Sequence, residues 1–92
     1  MGAFLGTPGF GSDLGDASQK TRLTPIDGQS VYKATGDVRA ISKGDYFYLD
    51  GLHKDHLDVL DSRGKFRAVV NMDGTVNQSK TDAGQGRRIN VK

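Results

Sequence analysis

The 92-residue chain contains no cysteine, no tryptophan and no glutamate, so all eleven of its acidic residues are aspartate. Without cysteine it can form no disulfide, no thiolate nucleophile and no cysteine-based zinc or iron–sulfur site. Its two histidines are too few for a histidine-rich metal site. A chain of this length forms one small domain with a modest core, which excludes a two-domain enzyme or an elaborate cofactor fold.

Long apolar runs are also missing from the sequence. No stretch approaches the roughly 20 apolar residues that span a bilayer. Residues 1–10 lack the basic start and the long apolar core of a signal peptide. We therefore expect a chain with no membrane span.

The net charge of +2 is unevenly distributed along the chain. Residues 1–50 carry five Lys or Arg against six Asp, whereas residues 51–92 carry eight against five, so the two halves have net charges of −1 and +3. A basic C-terminal half favours an anionic partner such as nucleic acid, although many ordinary basic domains share this balance.

The chain is rich in turn-forming residues and poor in strong helix formers, which favours strands and tight turns. Residues 1–30 contain both prolines, six of the 13 glycines and little periodic pattern. We predict that they form a linker or N-terminal arm, flexible or partly docked through Phe4, Leu5 and Phe10. The folded domain is predicted over residues 31–92.

Three runs with period-two alternation, at residues 46–50, 56–61 and 65–71, predict consecutive strands. A short connection at residues 62–64 and the turn dipeptide Asp73-Gly74 favour hairpins. The predicted fold is mainly β, a small, strongly twisted antiparallel meander. Residues 31–33 and 38–41 are candidates for one more strand, and residues 87–91 for an edge strand.

The alternation assigns the side chains of the three strands to two faces. The predicted core face comprises Phe47, Leu49, Leu57, Val59, Phe66, Ala68 and Val70. The opposite face comprises Tyr46, Tyr48, Asp50, His56, Asp58, Lys65 and Arg67. Strand pairing would gather aromatic, acidic, imidazole and cationic groups on this second, polar face.

Metal-free cleavage of RNA needs a base for the ribose 2′-hydroxyl, an acid for the departing 5′-oxygen and cations for the charged phosphorane. The polar face and its loops offer all three kinds of group. Candidate acid–base residues are Asp50, Asp55, Asp58, His53 and His56. Candidate phosphate-binding cations are Lys54, Lys65, Arg67, Arg87 and Arg88. Two tyrosines, Tyr46 and Tyr48, are suited to stacking on unpaired bases.

Each of these features also has a simpler interpretation. The polar side could be the solvated face of a two-sided sheet, and residues 53–56 could be a solvated turn. The two histidines and an aspartate could bind a metal, the tyrosines could pack at the rim of the sheet, and Arg87-Arg88 could serve solubility alone. The glycine-rich segment at residues 6–11 lacks the Gly-Lys-Ser/Thr ending of a phosphate-binding loop, so we exclude that function.

The order of these residues resembles the cytotoxic ribonuclease domain of ribosome-inactivating colicins and of related contact-dependent or polymorphic toxins. The resemblance covers residues 44–91, about half of the chain. The segments that carry it are Tyr48-Leu-Asp50-Gly-Leu-His53, His56-Leu-Asp58-Val59, Ser62-Arg-Gly-Lys65, Asp73-Gly-Thr75 and Arg87-Arg-Ile-Asn90.

The resemblance implies a highly twisted antiparallel sheet that cleaves small-subunit ribosomal RNA at the decoding site and so blocks translation. It also implies a tight-binding acidic immunity protein and delivery into the cytoplasm of a target bacterium. Asp50 and His53 occupy the Asp-x-x-His positions of that active site, with His53 as the general acid and Asp50 orienting it. Arg88 matches the arginine that binds the scissile phosphate, and Arg87 is the adjacent alternative.

One position departs from the pattern of that family. The family places a glutamate, its base, four residues after the motif histidine, where this chain has Leu57. With one residue inserted in the turn, Asp58 would take that place, with a side chain one methylene shorter. Alternatively, His56 would take over the role of base or acid.

We therefore predict a toxin domain that is a metal-independent endoribonuclease, needs no cofactor and is a monomer on its own. Its arm would have joined it to a larger delivery protein. The predicted catalytic residues are Asp50, His53, His56, Asp58 and Arg88. The predicted substrate-binding residues are Tyr46, Tyr48, Lys54, Asp55, Lys65, Arg67 and Arg87. The alternative is a non-catalytic RNA-binding or protein-interaction module of a larger secreted protein.

Overall fold

The computed structural model describes residues 2–50 and 55–91, and within these ranges the chain forms a five-stranded sheet with three short helices. The strands are β1 (Ser18–Lys20), β2 (Tyr32–Ala34), β3 (Tyr46–Leu49), β4 (His56–Leu60) and β5 (Phe66–Asn71). The helices are α1 (Gly2–Leu5), α2 (Phe10–Asp16) and α3 (Gln78–Ala83). None of these helices has the length and apolar character needed to cross a bilayer.

The strands lie in the sheet in chain order, and each neighbouring pair is antiparallel. The predicted mainly β, antiparallel meander is therefore confirmed. The turn between β4 and β5 is held by Asp61, whose Oδ1 accepts hydrogen bonds from the backbone N–H groups of Arg63 (2.8 Å) and Lys65 (3.0 Å). The backbone hydrogen bond from Lys65 is the main cause that lowers the pKa of Asp61.

One face of the sheet carries the predicted core. Phe47, Leu57, Val59 and Val70 are fully buried there, as period-two alternation requires of strands with one packed face. The side chains that pack with them from outside these strands include Phe10 and Leu14 of α2. This face is therefore covered by the N-terminal part of the chain.

Of the two states predicted for the arm at residues 1–30, flexible or partly docked, the segment at residues 10–20 has the docked one. Phe10 and Leu14, four residues apart, lie on one side of α2 and are buried against the sheet. Helix α1 lies close against α2, since a Cβ at Gly11 would lie 2.1 Å from the carbonyl oxygen of Phe4. The segment after α2 enters the sheet as β1. Helix α2 thus supplies part of the same core as strands β3 to β5.

The second face of the sheet is not the open polar surface that alternation predicted. Tyr46, Tyr48 and Leu60 are buried on it together with Val31. Partly buried apolar side chains pack over them from the loop before β2 and from the C-terminal segment, namely Leu23, Ile26, Ile89 and Val91. The polar groups of this face are thus enclosed at the edge of a second, smaller apolar cluster.

A register shift between β4 and β5 explains why two side chains differ from the predicted faces. Val59 pairs with Ala68, but the next residue, Leu60, pairs with Phe66, so Arg67 is an extra residue on β5. Phe66 thereby lies beside Leu60 and packs so closely on Gly84 that a Cβ there would meet its ring at 2.6 Å. The alternation beyond the bulge is therefore inverted relative to the prediction.

Two further strand predictions are only partly met. Residues 31–33 overlap β2, whereas Val38 and Ile41 form an isolated bridge within a tight turn. In the C-terminal segment, Lys65 and Arg88 form a single bridge, flanked by hydrogen bonds between the backbones of Ile89 and Gly64 (2.8 Å) and of Phe66 and Arg87 (3.0 Å). This segment therefore lies along the start of β5 without forming a regular edge strand.

Leu14→Ala is predicted to lower the free energy of unfolding by about 2–5 kcal/mol, because the side chain is completely buried and its removal leaves a cavity. Urea denaturation followed by far-UV circular dichroism measures this change. The control is Val76→Ala, at a position that is 44% exposed, for which we expect a change of about 0.5 kcal/mol or less. Equal stability of wild type and Leu14→Ala would contradict the packing of α2 on the sheet.

Candidate functional site

The end of β3 and the start of β4 bring two aspartates and a histidine together. Asp50 follows the last residue of β3, and His56 is the first residue of β4. The backbone N–H of Asp50 donates to the carbonyl of His56 (3.1 Å), and Tyr48 lies directly opposite Asp58. Because cross-strand neighbours have side chains on the same face, these four residues form one group at this edge of the second cluster.

The imidazole of His56 lies between two carboxylates. Its Nδ1 is 2.7 Å from Oδ1 of Asp55, and its Nε2 is 3.1 Å from Oδ2 of Asp50. One ligand-type atom from each of Asp50, His56 and Asp58 lies within 4.8 Å of the other two. We call Asp50, His56 and Asp58 the acid–base cluster. Which ring nitrogen of His56 carries a proton is set by these two carboxylates.

Asp58 connects the acid–base cluster to a guanidinium from the C-terminal segment. Nη1 of Arg87 donates to Oδ2 of Asp58 (3.2 Å), and the side chain of Asp58 is 3% exposed whereas that of Arg87 is 53% exposed. The other oxygen, Oδ1 of Asp58, is buried and has no hydrogen-bond partner among the described residues. Burying a charged carboxylate costs free energy of folding unless a positive charge pairs with it. Arg87 provides that positive charge for Asp58.

Tyr48 places a protonated hydroxyl beside Asp58. Burial of the ring and, after it, the negative charge of Asp58 raise the pKa of Tyr48 well above its ordinary value. The positive charge of Arg87 acts in the opposite direction but more weakly. Tyr48 therefore stays an O–H donor throughout the physiological pH range.

Exposure divides these groups into two layers. Asp50 and Asp55 have side chains that are 19% and 71% exposed, whereas the side chain of His56 is 5% exposed. A molecule arriving from solvent can thus reach Asp50, Asp55 and Arg87. His56 and Asp58 lie behind them and hold them in place.

Two of the predicted cations lie elsewhere. Arg88 is exposed and bridges to Lys65 through the backbone. Consecutive residues of an extended segment point to opposite sides, so Arg87 is directed to the second face together with Ile89, and Arg88 is not. Of the two candidate phosphate ligands, the structure therefore brings Arg87 to the acid–base cluster.

Arg67 and Tyr46 also have partners outside the acid–base cluster. The guanidinium of Arg67 forms an ion pair with the buried carboxylate of Asp45, which precedes β3. Tyr46 is buried in the second apolar cluster, and Nζ of Lys33 lies 5.4 Å from the centre of its ring. Tyr46 is thus covered by the surrounding loops, whereas Arg67 keeps 40% of its side chain exposed while it pairs with Asp45.

His53 and Lys54 lie outside the described residues. The described chain stops at Asp50 and resumes at Asp55. The two described residues that flank this gap, Asp50 and Asp55, both contact His56.

The sequence did not reveal a cleft next to Tyr46. It has a volume of about 560 Å³ and is lined by residues 21–26, Tyr46, Ile89 and Asn90. Its lining is mainly apolar, with Arg22 as the one cation among these residues. The sequence pattern assigns residues 21–26 to the N-terminal arm. The two apolar residues in this loop, Leu23 and Ile26, are the feature of the sequence that indicates packing on the sheet.

No protein-family model, no curated protein and no solved structure matches this chain.

Titration of Tyr48 is predicted to weaken the fold at alkaline pH. Its pKa in the folded chain lies above the unfolded value of 10.0, so above that pH the unfolded chain releases a proton that the folded chain retains. The free energy of unfolding therefore falls as the pH rises beyond about 10. Urea denaturation between about pH 8 and about pH 11, on either side of the ordinary tyrosine pKa, measures this change. Over this range Tyr48→Phe should lose less stability than the wild type.

Tyr32→Phe is the matched control for this comparison, because it also removes one hydroxyl from the sheet while keeping the ring. Its stability should fall with pH as steeply as that of the wild type. If the free energy of unfolding of Tyr48→Phe fell with pH as steeply as that of the wild type, the protonated Tyr48 hydroxyl beside Asp58 would be contradicted.

Proposed function

We propose that this chain is an endoribonuclease domain that cleaves RNA through attack of a ribose 2′-hydroxyl on the adjacent phosphate. One observation carries the proposal: a solvent-accessible carboxylate, Asp50, and a solvent-accessible guanidinium, Arg87, are held by the same buried pair, His56 and Asp58. A base and a phosphate-binding cation at one site are what this reaction requires.

Asp50 is the base in this proposal. Its side chain is partly exposed, and hydrogen bonding to His56 fixes one of its oxygens, Oδ2. The carboxylate would accept the proton of the 2′-hydroxyl as that oxygen attacks phosphorus. Arg87, with half of its side chain in solvent, would bind the non-bridging phosphate oxygens and stabilise the charge of the phosphorane.

His56 and Asp58 are positioning residues in this scheme. Both are nearly completely buried, so they act through Asp50 and Arg87 rather than on the RNA. This differs from the sequence-based hypothesis that Asp58 replaces the glutamate base of the colicin-type enzymes. A carboxylate that is 3% exposed and bound to Arg87 is better placed to orient that arginine than to meet a ribose.

The general acid in this proposal is His53, which the resemblance to colicin-type ribonucleases places at the Asp-x-x-His position. Its segment begins and ends at residues that contact His56. The two proton transfers are then assigned to side chains, so we expect cleavage to continue in the presence of EDTA.

Ribosomal RNA is the proposed substrate, and a bacterial toxin delivered into the cytoplasm of a target cell is the proposed biological role. Both rest on the resemblance, as does an acidic immunity protein as partner. The basic C-terminal half and the exposed Arg87 and Arg88 support an anionic substrate. The cleft beside Tyr46 lies on the same face of β3 as Tyr48, two residues along the strand. In this proposal the cleft would receive a nucleotide next to the scissile phosphate.

The exposed arginines also support a second function, namely RNA binding without cleavage. A non-catalytic module would bind RNA with an affinity that falls steeply with salt concentration, because arginines displace counterions from phosphates. It would leave the RNA intact at every protein concentration.

Purified protein is predicted to cut small-subunit RNA in intact ribosomes at one position in the presence of EDTA, giving a 2′,3′-cyclic phosphate end. Asp50→Asn should lower the rate at least about 100-fold, because an amide cannot accept the proton. Primer extension maps the cut, and gel quantification of the fragments gives the rate.

The matched control for Asp50→Asn is Asp82→Asn, which makes the same chemical change on α3, where the carboxylate accepts a hydrogen bond from the Gln78 side chain. It should cleave at the wild-type rate. Intact ribosomes at high protein concentration would contradict the proposed function. A fully active, folded Asp50→Asn would show that another group is the base.

Arg87→Gln and Arg88→Gln form a second matched pair, since they remove the same charge from adjacent residues. Arg87→Gln should lower the cleavage rate by about 100-fold, the usual cost of losing one group that stabilises the transition state. Arg88→Gln should lower it only a few-fold, through weaker RNA binding. The opposite order of effects would favour the assignment of Arg88 by resemblance over the geometry described above.

A further inference from the structure

We propose that Asp50, His56 and Asp58 form a binding site for one transition-metal dication such as Zn²⁺. Nitrogen and oxygen ligands of this kind, two carboxylates and one imidazole, suit first-row transition metals. The ligand atoms lie within 4.8 Å of one another. A tetrahedral ion with bonds of about 2.1 Å would hold them roughly 3.4 Å apart, so small side-chain rotations suffice.

The unpartnered oxygen of Asp58 is the independent observation that points to a cation. Oδ1 is buried without a hydrogen-bond partner among the described residues, while Oδ2 is taken by Arg87. A buried carboxylate oxygen without a partner is costly, and its cost is relieved by a metal or a hydrogen-bond donor. Asp58 thus keeps one carboxylate oxygen that Arg87 does not use, and a carboxylate oxygen of Asp58 lies within 4.8 Å of the ligand atoms of Asp50 and His56.

His56 has the arrangement that metal-binding histidines usually have. Its Nδ1 is 2.7 Å from Oδ1 of Asp55, and its Nε2 is turned toward Asp50. Zinc binding would release the proton through which Nε2 hydrogen-bonds Asp50, while Nδ1–H continues to donate to Asp55. A carboxylate on the far nitrogen fixes the tautomer and makes the ligating nitrogen more basic.

The charges around the acid–base cluster also favour a dication. The carboxylates of Asp50 and Asp55 lie against His56, Asp58 lies beside them, and among the described residues Arg87 pairs with Asp58. A divalent ion bound by Asp50 and Asp58 would balance this negative charge. Arg87 opposes the ion by repulsion, but more than half of its side chain is in solvent, where the repulsion is screened.

Metal binding would oppose the proposed ribonuclease activity, and this consequence rests on the proposed function. Coordination of Asp50 would occupy the carboxylate that accepts the proton of the ribose hydroxyl. Zinc would therefore act as a reversible inhibitor of cleavage, and a chelator would restore the activity.

Isothermal titration of the full chain with ZnCl₂ at neutral pH, in a non-chelating buffer, tests the site without RNA. We expect one ion per chain and no binding of MgCl₂, since Mg²⁺ prefers octahedral oxygen ligands and keeps its waters. Asp58→Asn should weaken zinc binding at least about tenfold, and Asp55→Asn about 10-fold to 100-fold by loosening His56. Asp82→Asn should bind as the wild type does.

Circular dichroism of each variant shows that it is folded before titration, and Asp50→Asn, at the more exposed ligand, serves if Asp58→Asn does not fold. Absence of one-to-one zinc binding in the wild type would overturn the site. Binding that survives both Asp58→Asn and Asp50→Asn but disappears in His53→Gln would also overturn it.

The cleavage assay separates this proposal from the proposed function. Zinc binding in a chain that cuts no RNA would support the metal site and contradict the ribonuclease. Cleavage that zinc leaves unchanged, in a chain that binds zinc at Asp58, would contradict the inhibitory role alone.

Discussion

The register of β3 against β4 is the constraint on which the rest of the molecule depends. It places Tyr48 opposite Asp58 and, on the other face, Phe47 opposite Val59. A slip by one residue would send the carboxylates into the main core and the apolar side chains to the other side. The same pairing therefore fixes the core and gathers the groups of the proposed active site, so the stability of the fold and the geometry of that site depend on the same hydrogen bonds.

Burial of ionisable groups is the cost of this arrangement. Asp58 and His56 lie among buried residues at the margin of the second apolar cluster, and each has a charged partner that is more exposed. Burial makes their positions precise, because few rotamers fit, while Asp50 and Arg87 remain open to solvent. A small sheet can in this way present a fixed pair of groups to a large substrate such as the RNA proposed above.

The strands were predictable because alternation is a local property of the sequence. Phe47, Leu57 and Val59 were assigned correctly to the main core, and Asp50, His56 and Asp58 to one shared face. What covers that second face could not be predicted, because it depends on contacts between segments far apart in the chain. The exchange of Phe66 and Arg67 at the bulge was invisible for the same reason. Helix α3 had a local signal in Asn77, whose side chain accepts a hydrogen bond from the Lys80 N–H.

The C-terminal segment has two roles, which fall on neighbouring residues. Ile89 and Val91 pack on the second apolar cluster, and Arg87 from the same segment neutralises Asp58. Gly64 permits this close contact, since a Cβ at that position would lie 2.3 Å from the carbonyl oxygen of Ile89. A single proteolytic cut in the glycine-containing turn at residues 84–86 would uncover an apolar surface and strand a buried anion at once. The packing of the second apolar cluster and the ion pair of Asp58 would then be lost together.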